Sequence, residues 1–253
     1  MKLKFIKILA IFLAIFAVLS TPSAAIEMQH TKTTTDALTI KSQSVSVENE
    51  EKDTDTDFSE PESPIINFSE VSDDTVVAKM YICTQQVGLG HAWIYIESNF
   101  NGDMPVGCYT LKPYQGVSIG TFFISRSDGP GLYYNVEAYC ANKYGLKNES
   151  SLEMDITKEQ LLKVSKRIKQ WNYWDLYFNC TFFAAEIWNC VAKKKIVPIL
   201  FPFFVKWQIL AHGGKREIVM KNVEPTDCYK QRGVGANAKI YQVKDGTLDS
   251  KLM

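Results

Sequence analysis

The chain is poor in histidine, has no Cys-x-x-Cys pair and carries no net charge. Its 253 residues include only His30, His91 and His212, none at ligand spacing from a cysteine. A finger- or ribbon-type zinc site is therefore unsupported, and no metal or other cofactor is expected. With 28 Lys and Arg against 28 Asp and Glu, no nucleic-acid partner is expected either. No internal repeat is visible. The one long unbroken apolar run, residues 8–19, has 12 residues, fewer than the roughly 18–20 that cross a bilayer. Residues 26–75 contain no Gly, Trp, Tyr or Cys.

What is present divides the chain in three. Lys2, Lys4 and Lys7 precede the apolar run, and Ser20, Thr21, Pro22, Ser23, Ala24 and Ala25 follow it. A basic start, a short apolar stretch and small residues make a secretory signal peptide over 1–25, cut after Ala25. The product is expected outside the cell, or tethered to the membrane if the segment stays uncleaved. No Cys stands at the cut, so no lipid anchor is expected there. Residues 26–75 hold 13 acidic residues against three Lys, a net of −10. Such a stretch cannot bury enough apolar surface to offset the entropy of ordering, and it is expected to be a disordered acidic linker. Residues 76–253 then form one domain with 22 basic and 15 acidic residues. A basic exported domain is drawn to anionic walls, membranes or acidic polymers, or is simply soluble.

Within the domain, β-branched and aromatic runs predict strands over 75–84, 91–97, 106–111, 116–124 and 131–139, with a further strand over 238–243. Along 91–97 the alternation sets His91, Trp93, Tyr95 and Glu97 on one face, with Ala92, Ile94 and Ile96 on the other. Helical signals follow. Thr157 with Gln160 three residues on makes a capping box, and Leu161, Leu162, Val164, Ile168 and Trp171 supply an apolar face. A second helix is expected over 179–192. Residues 196–210 are apolar but broken by Pro198, Pro202 and Lys206. They are read as a buried or groove-lining segment, with interfacial membrane contact as the alternative. The fold class is α+β, an antiparallel sheet packed against helices.

The chemistry points to Cys180. Asn179 is a good N-cap, so Cys180 opens a helix, where backbone N–H groups and the helix dipole favour a thiolate. Those N–H groups also suit a developing oxyanion. His91, at the start of a strand beside a glycine turn, is the best-placed base. The plainer readings are a buried thiol or a half-cystine for Cys180, and a core or surface histidine for His91. The six cysteines, Cys83, Cys108, Cys140, Cys180, Cys190 and Cys228, permit three disulfides in an oxidising compartment.

Gly90-His91-Ala92-Trp93-Ile94, followed about 90 residues later by Asn179-Cys180-Thr181-Phe182-Phe183-Ala184, resembles the circularly permuted branch of the NlpC-type papain-like hydrolases. There the His-bearing sheet precedes the Cys-bearing helix, an order shared by YiiX-like and lecithin:retinol acyltransferase-like proteins. A Tyr seven residues before the Cys, here Tyr173, is similar too. The resemblance spans residues 76–195. It implies a permuted papain-like fold, Cys180 as nucleophile, His91 as general base and Tyr173 as an oxyanion or substrate contact. It also implies a third polar group on the strand after the His. Residues 106–111 offer no His, Asn, Asp or Glu, and Thr110 and Tyr109 are the nearest polar choices. The function implied is a secreted peptidase or amidase acting on extracellular amides, cell-wall peptides among them. The alternatives are a non-catalytic module of the same fold that binds through Trp93, Tyr95, Trp171 and Trp174, and a lipid acyltransferase.

Overall fold

The run Val-Val-Ala-Lys-Met-Tyr-Ile-Cys-Thr-Gln forms the strand around which the sheet is built, β1 (Val76–Gln85). The computed structural model describes residues 65–86, 90–123, 129–144, 150–217 and 220–243. The expected signal peptide and residues 26–64 of the acidic linker lie outside these. In chain order β1 is followed by β2 (His91–Ser98), β3 (Met104–Val106), β4 (Tyr109–Leu111), β5 (Gly116–Phe122), β6 (Gly131–Tyr134), α1 (Val136–Tyr144) and β7 (Ser150–Thr157). Then come α2 (Lys158–Lys169), α3 (Cys180–Asn189), α4 (Pro202–Ala211), β8 (Tyr229–Arg232) and β9 (Lys239–Gln242).

Among the described residues seven strands make one sheet, in the order β7-β1-β2-β5-β6-β8-β9, and every pairing is antiparallel. The protein is thus α+β, as its residue pattern predicts. The period-two alternation sorts β2 between two cores. Ala92, Ile94 and Ile96 join the main core with Val164 and Ile168 of α2, Phe183, Ile187 and Trp188 of α3, and Val205 and Ile209 of α4. Trp93 and Tyr95 face the other way, onto Tyr81 and Cys83 with Met220 and Val223. Each fully buried large side chain contributes roughly 1.5–3 kcal/mol, and α2, α3 and α4 are all fastened to the sheet through this core.

Local signals set the helix boundaries. Thr157 accepts from the Gln160 N–H at 3.3 Å while the Gln160 side chain accepts from the Thr157 N–H at 3.0 Å, so the capping box forms. Asn179 caps α3, accepting from the Thr181 N–H at 3.0 Å. Pro202 opens α4 at a position where a missing N–H costs nothing.

Four expectations are corrected. Residues 106–111 are not one strand but most of the β3–β4 hairpin, a separate two-stranded sheet. Gly107, at φ +59°, makes its turn; a Cβ there would overlap the Tyr134 hydroxyl and stand 2.6 Å from Ile168 Cγ2. Residues 131–139 are not one strand, because Asn135, at φ 62°, ends β6 and starts α1. Neither β7 nor β8 has a counterpart among the expected strands. Residues 65–75 belong to the folded body rather than to the linker. There the Ile66 N–H donates to Asn101 O at 2.8 Å, and the Phe68 ring meets Phe100 edge-on.

Lys158 secures that last segment. It is 9% exposed, and its Nζ donates to Val71 O at 2.5 Å and Ser69 O at 3.2 Å. The same Nζ lies 5.7 Å from the Phe68 ring centre. Lys158→Met is expected to destabilise the domain by about 1–3 kcal/mol and to open residues 65–75 to proteolysis. Denaturant unfolding and mapping of the first protease cuts check this; an unchanged cleavage pattern would show that the segment is held by other contacts.

Candidate active site

The site begins with a backbone that only glycine accepts. Gly90 has φ +79°, and a Cβ there would stand 3.1 Å from both Gln85 O and Pro202 Cβ. The chain turns here into β2, and His91 is its first residue, paired across the ladder with Gln85. The imidazole is held between aromatic rings, stacked on Trp93 at 5.5 Å and tilted against Phe122 at 4.4 Å. Its side chain is 12% exposed.

The polar partner of His91 is Glu137. The His91 Nε2 and Glu137 Oε1 atoms are 3.1 Å apart, and the other carboxylate oxygen accepts from the Ser118 hydroxyl at 2.8 Å. Glu137 is 1% exposed, and a carboxylate so buried is tolerated only when paired and hydrogen-bonded. Asn135 aims it. Its left-handed backbone, tolerated best by Gly, Asn and Asp, is locked by a bond from the Ser118 N–H to Asn135 Oδ1 at 3.1 Å and another from Asn135 Nδ2 to Asp227 O at 3.0 Å. Asn135 O then accepts from the Tyr139 N–H, the first bond of α1. Gly120 leaves the room: a Cβ there would overlap the Glu137 carboxylate and stand 2.9 Å from His91 Nε2.

Cys180 is the first residue of α3 and is 8% exposed. Besides its bond to the Thr181 N–H, the Asn179 cap accepts from the Thr181 hydroxyl at 2.7 Å and donates to Leu200 O at 2.8 Å. Cys180 stands near enough to His91 to act on the imidazole from the side of α3. Burial by itself would push the imidazole down, but its interactions with Cys180 and then with the Glu137 carboxylate outweigh it and hold His91 up at about 9. The arrangement is a thiol at a helix entrance, an imidazole held in its charged form, and a carboxylate behind the ring. It can form an ion pair and pass a proton between sulfur and a bound group.

The sequence thus identifies two of the three residues that meet. Thr110 is not the third. It lies exposed on β4, opposite Pro105 in the hairpin, because the sheet neighbour of β2 on that side is β5 and not the segment that directly follows it. Glu137 escaped because 131–139 read as a strand. The signal was an Asn able to adopt φ > 0, followed by an acid two residues later in a first helical turn. Tyr173 stacks on Trp171 at 4.8 Å and meets Phe178 edge-on at 5.9 Å. Burial and the charge of Glu186 raise its phenol above the usual range. None of its described contacts reaches Cys180 or His91. The His212 ring faces Lys195 O at 3.1 Å, just past the end of α4. His30 lies outside the described residues.

All six cysteines are free thiols, so none of the three permitted disulfides is formed. Burial raises Cys83 and Cys108, lifts Cys140 to about 12, and raises Cys190. Among the described residues no group of three or more His, Cys, Asp or Glu is placed to hold a metal ion. The chain matches no family model, no curated protein and no solved structure.

The His91 environment has a consequence for pH. A folded-state value above the ordinary 6.5 means that charged His91 stabilises the native state fully below about pH 6.5, and that this contribution is lost as pH rises through about 9. The shift corresponds to about 3 kcal/mol at most. The stability gap between the wild type and His91→Gln is expected to be wide near pH 6 and narrow by about pH 10. An NMR titration of the His91 ring should find its midpoint well above 6.5, falling in Cys180→Ala and in Glu137→Gln. A midpoint at the ordinary value would contradict the charged pair.

Proposed function

We propose that the domain is a thiol hydrolase, with Cys180 as nucleophile, His91 as general base and acid, and Glu137 as the residue that orients and charges the imidazole. The observation that carries this reading is the His91 imidazole bonded at 3.1 Å to the buried Glu137 carboxylate, with Cys180 nearby as the first residue of α3. The order of His-bearing strand and Cys-bearing helix, which resembles the permuted NlpC-type hydrolases, supports it as well.

In the reaction the Cys180 thiolate attacks the carbonyl carbon of an amide or ester. The carbon–sulfur bond forms as electrons move onto the carbonyl oxygen, which the first-turn N–H groups of α3 stabilise. Collapse expels the leaving amine or alcohol, protonated by the His91 imidazolium, and leaves a thioester. Neutral His91 then takes a proton from water as its oxygen attacks the thioester. The acid departs, and Cys180 and His91 return to their starting charges. The signal-peptide pattern of residues 1–25 and a basic domain favour extracellular amides, including cell-wall peptides, as substrates.

The non-catalytic alternative loses support at its aromatic residues. Trp93, Tyr95 and Trp171 are each at most 1% exposed and serve the cores, which leaves only the half-buried Trp174, tilted against Phe123, of the four. An acyltransferase would share the first half of the mechanism, with an alcohol or amine in place of water.

Alkylation of the native protein tests the proposal. Four of the other five thiols are raised by burial, so iodoacetamide near neutral pH should label Cys180 first, as mapped by mass spectrometry. His91→Ala should slow that labelling by about tenfold or more, and hydrolysis of an activated ester by about 100-fold or more. Glu137→Gln should lower hydrolysis less and shift its pH profile. Equal labelling of Cys180 in the wild type and His91→Ala would overturn the assignment, as would a Cys180 found in a disulfide.

A further inference from the structure

α4 is apolar on both sides. Pro202, Val205 and Ile209 turn inward and are buried, whereas Phe203 and Trp207 turn outward, 47% and 57% exposed. Their rings stand 5.9 Å apart, and Phe204 packs beside Phe203. The preceding segment continues this face. Val197, 59% exposed, is tied to α4 by the Gln208 side chain, which accepts from the Val197 N–H at 2.7 Å and donates to Val197 O at 3.1 Å. Leu176, Tyr177 and Phe178 are exposed as well. They sit on a tight turn in which Asp175 Oδ1 accepts from the N–H groups of Tyr177 and Phe178, both at 2.7 Å. The Asn179 amide joins the two segments by donating to Leu176 O at 3.4 Å and Leu200 O at 2.8 Å. An apolar groove of about 360 Å³ lies beside them, lined by Phe178, Phe182, Cys190 and Pro198 with Glu186 and Asn189.

An exposed apolar face this continuous marks an interaction surface, and its charge indicates the partner. From residue 187 to residue 216 the chain has six basic residues and no acidic one. Lys193, Lys194 and Lys195 are exposed together. The bonds from Lys194 Nζ to His212 O and from Lys195 Nζ to Asn189 O are to neutral carbonyls and leave both charges uncancelled. Lys206 is set between Phe203 and Trp207 in the helix. Lysine is depleted in protein–protein interfaces, whereas aromatic residues interleaved with lysine suit the boundary between anionic headgroups and acyl chains.

We propose that the outer face of α4, with the 176–178 turn and Lys193–Lys195, docks the domain onto an anionic phospholipid bilayer. α4 adjoins the thiol centre by its inner side: Pro202 packs under Gly90, next to His91. Docking by the outer face does not depend on the chemistry of that centre.

The test uses the full chain carrying Cys180→Ala, so that failure of the hydrolase reading cannot affect the result. Vesicles of phosphatidylcholine alone, and of phosphatidylcholine with an equal part of phosphatidylglycerol, both carry brominated acyl chains. The Trp207 signal is the difference between this protein and the same chain with Trp207→Phe, which separates the face from any anchoring by residues 1–64. That signal is expected to be about halved by the anionic vesicles, and restored by salt. Replacing Lys193, Lys194 and Lys195 with Gln should weaken the effect on the order of a hundredfold, and Phe203→Ser should weaken it by about tenfold. An unquenched Trp207 on both vesicles overturns the proposal. So does a self-associated protein that Phe203→Ser and Trp207→Ser render monomeric, which would make the face a protein interface.

Discussion

A carboxylate withdrawn from water organises the candidate centre. Glu137 is almost fully buried, and such a group is destabilising unless its oxygens are occupied and its charge is answered. Ser118 occupies one oxygen and His91 the other. The demand is mutual, because a buried imidazole would ordinarily shed its proton. It keeps the proton here because the sulfur and the carboxylate are both close. The three side chains therefore form an electrostatic unit in which each makes another's burial tolerable, and removing one changes the protonation balance of the rest.

Backbone conformation prepares the space for this unit. Gly90 lets the chain turn tightly against Pro202, and Gly120 vacates the volume that carboxylate and imidazole share. Asn135 reverses the chain between β6 and α1 and, through its two side-chain bonds, fixes where the first turn of α1 delivers Glu137. On the opposite side the Asn179 cap sets where α3 begins and so makes Cys180 its first residue. These are stiff elements, strand ends and helix starts joined by short turns, and the centre inherits their rigidity.

The outer face of α4 follows a different logic. Its inward residues serve the main core, while its outward aromatic residues are exposed, and the stretch from 187 to 216 that carries them has basic residues and no acid. The same short stretch of chain thus closes the core next to the thiol centre and presents an apolar, basic surface.

The α+β class, the capping box of α2, the start of α3 and the facing of β2 were legible from the sequence, because each depends on neighbours within a few residues. So was the pairing of Cys180 with His91 as the residues worth watching, since a capped helix start and a strand after a glycine are local features. Glu137 was not legible. Its role depends on Asn135 adopting φ > 0 and on β5, not the hairpin 104–111, lying beside β2. Residues 65–75 looked like linker because composition measures average charge, whereas Lys158 and Phe100 hold that stretch from far along the chain. The exposure of the apolar 197–207 stretch was equally hidden, since hydrophobicity records what a residue prefers and not which side of a helix the fold leaves uncovered. Local chemistry wrote the elements and the helix-opening position of Cys180 into the sequence. Strand order and long-range packing, which no short window contains, decided which carboxylate completes the centre and which apolar face meets solvent.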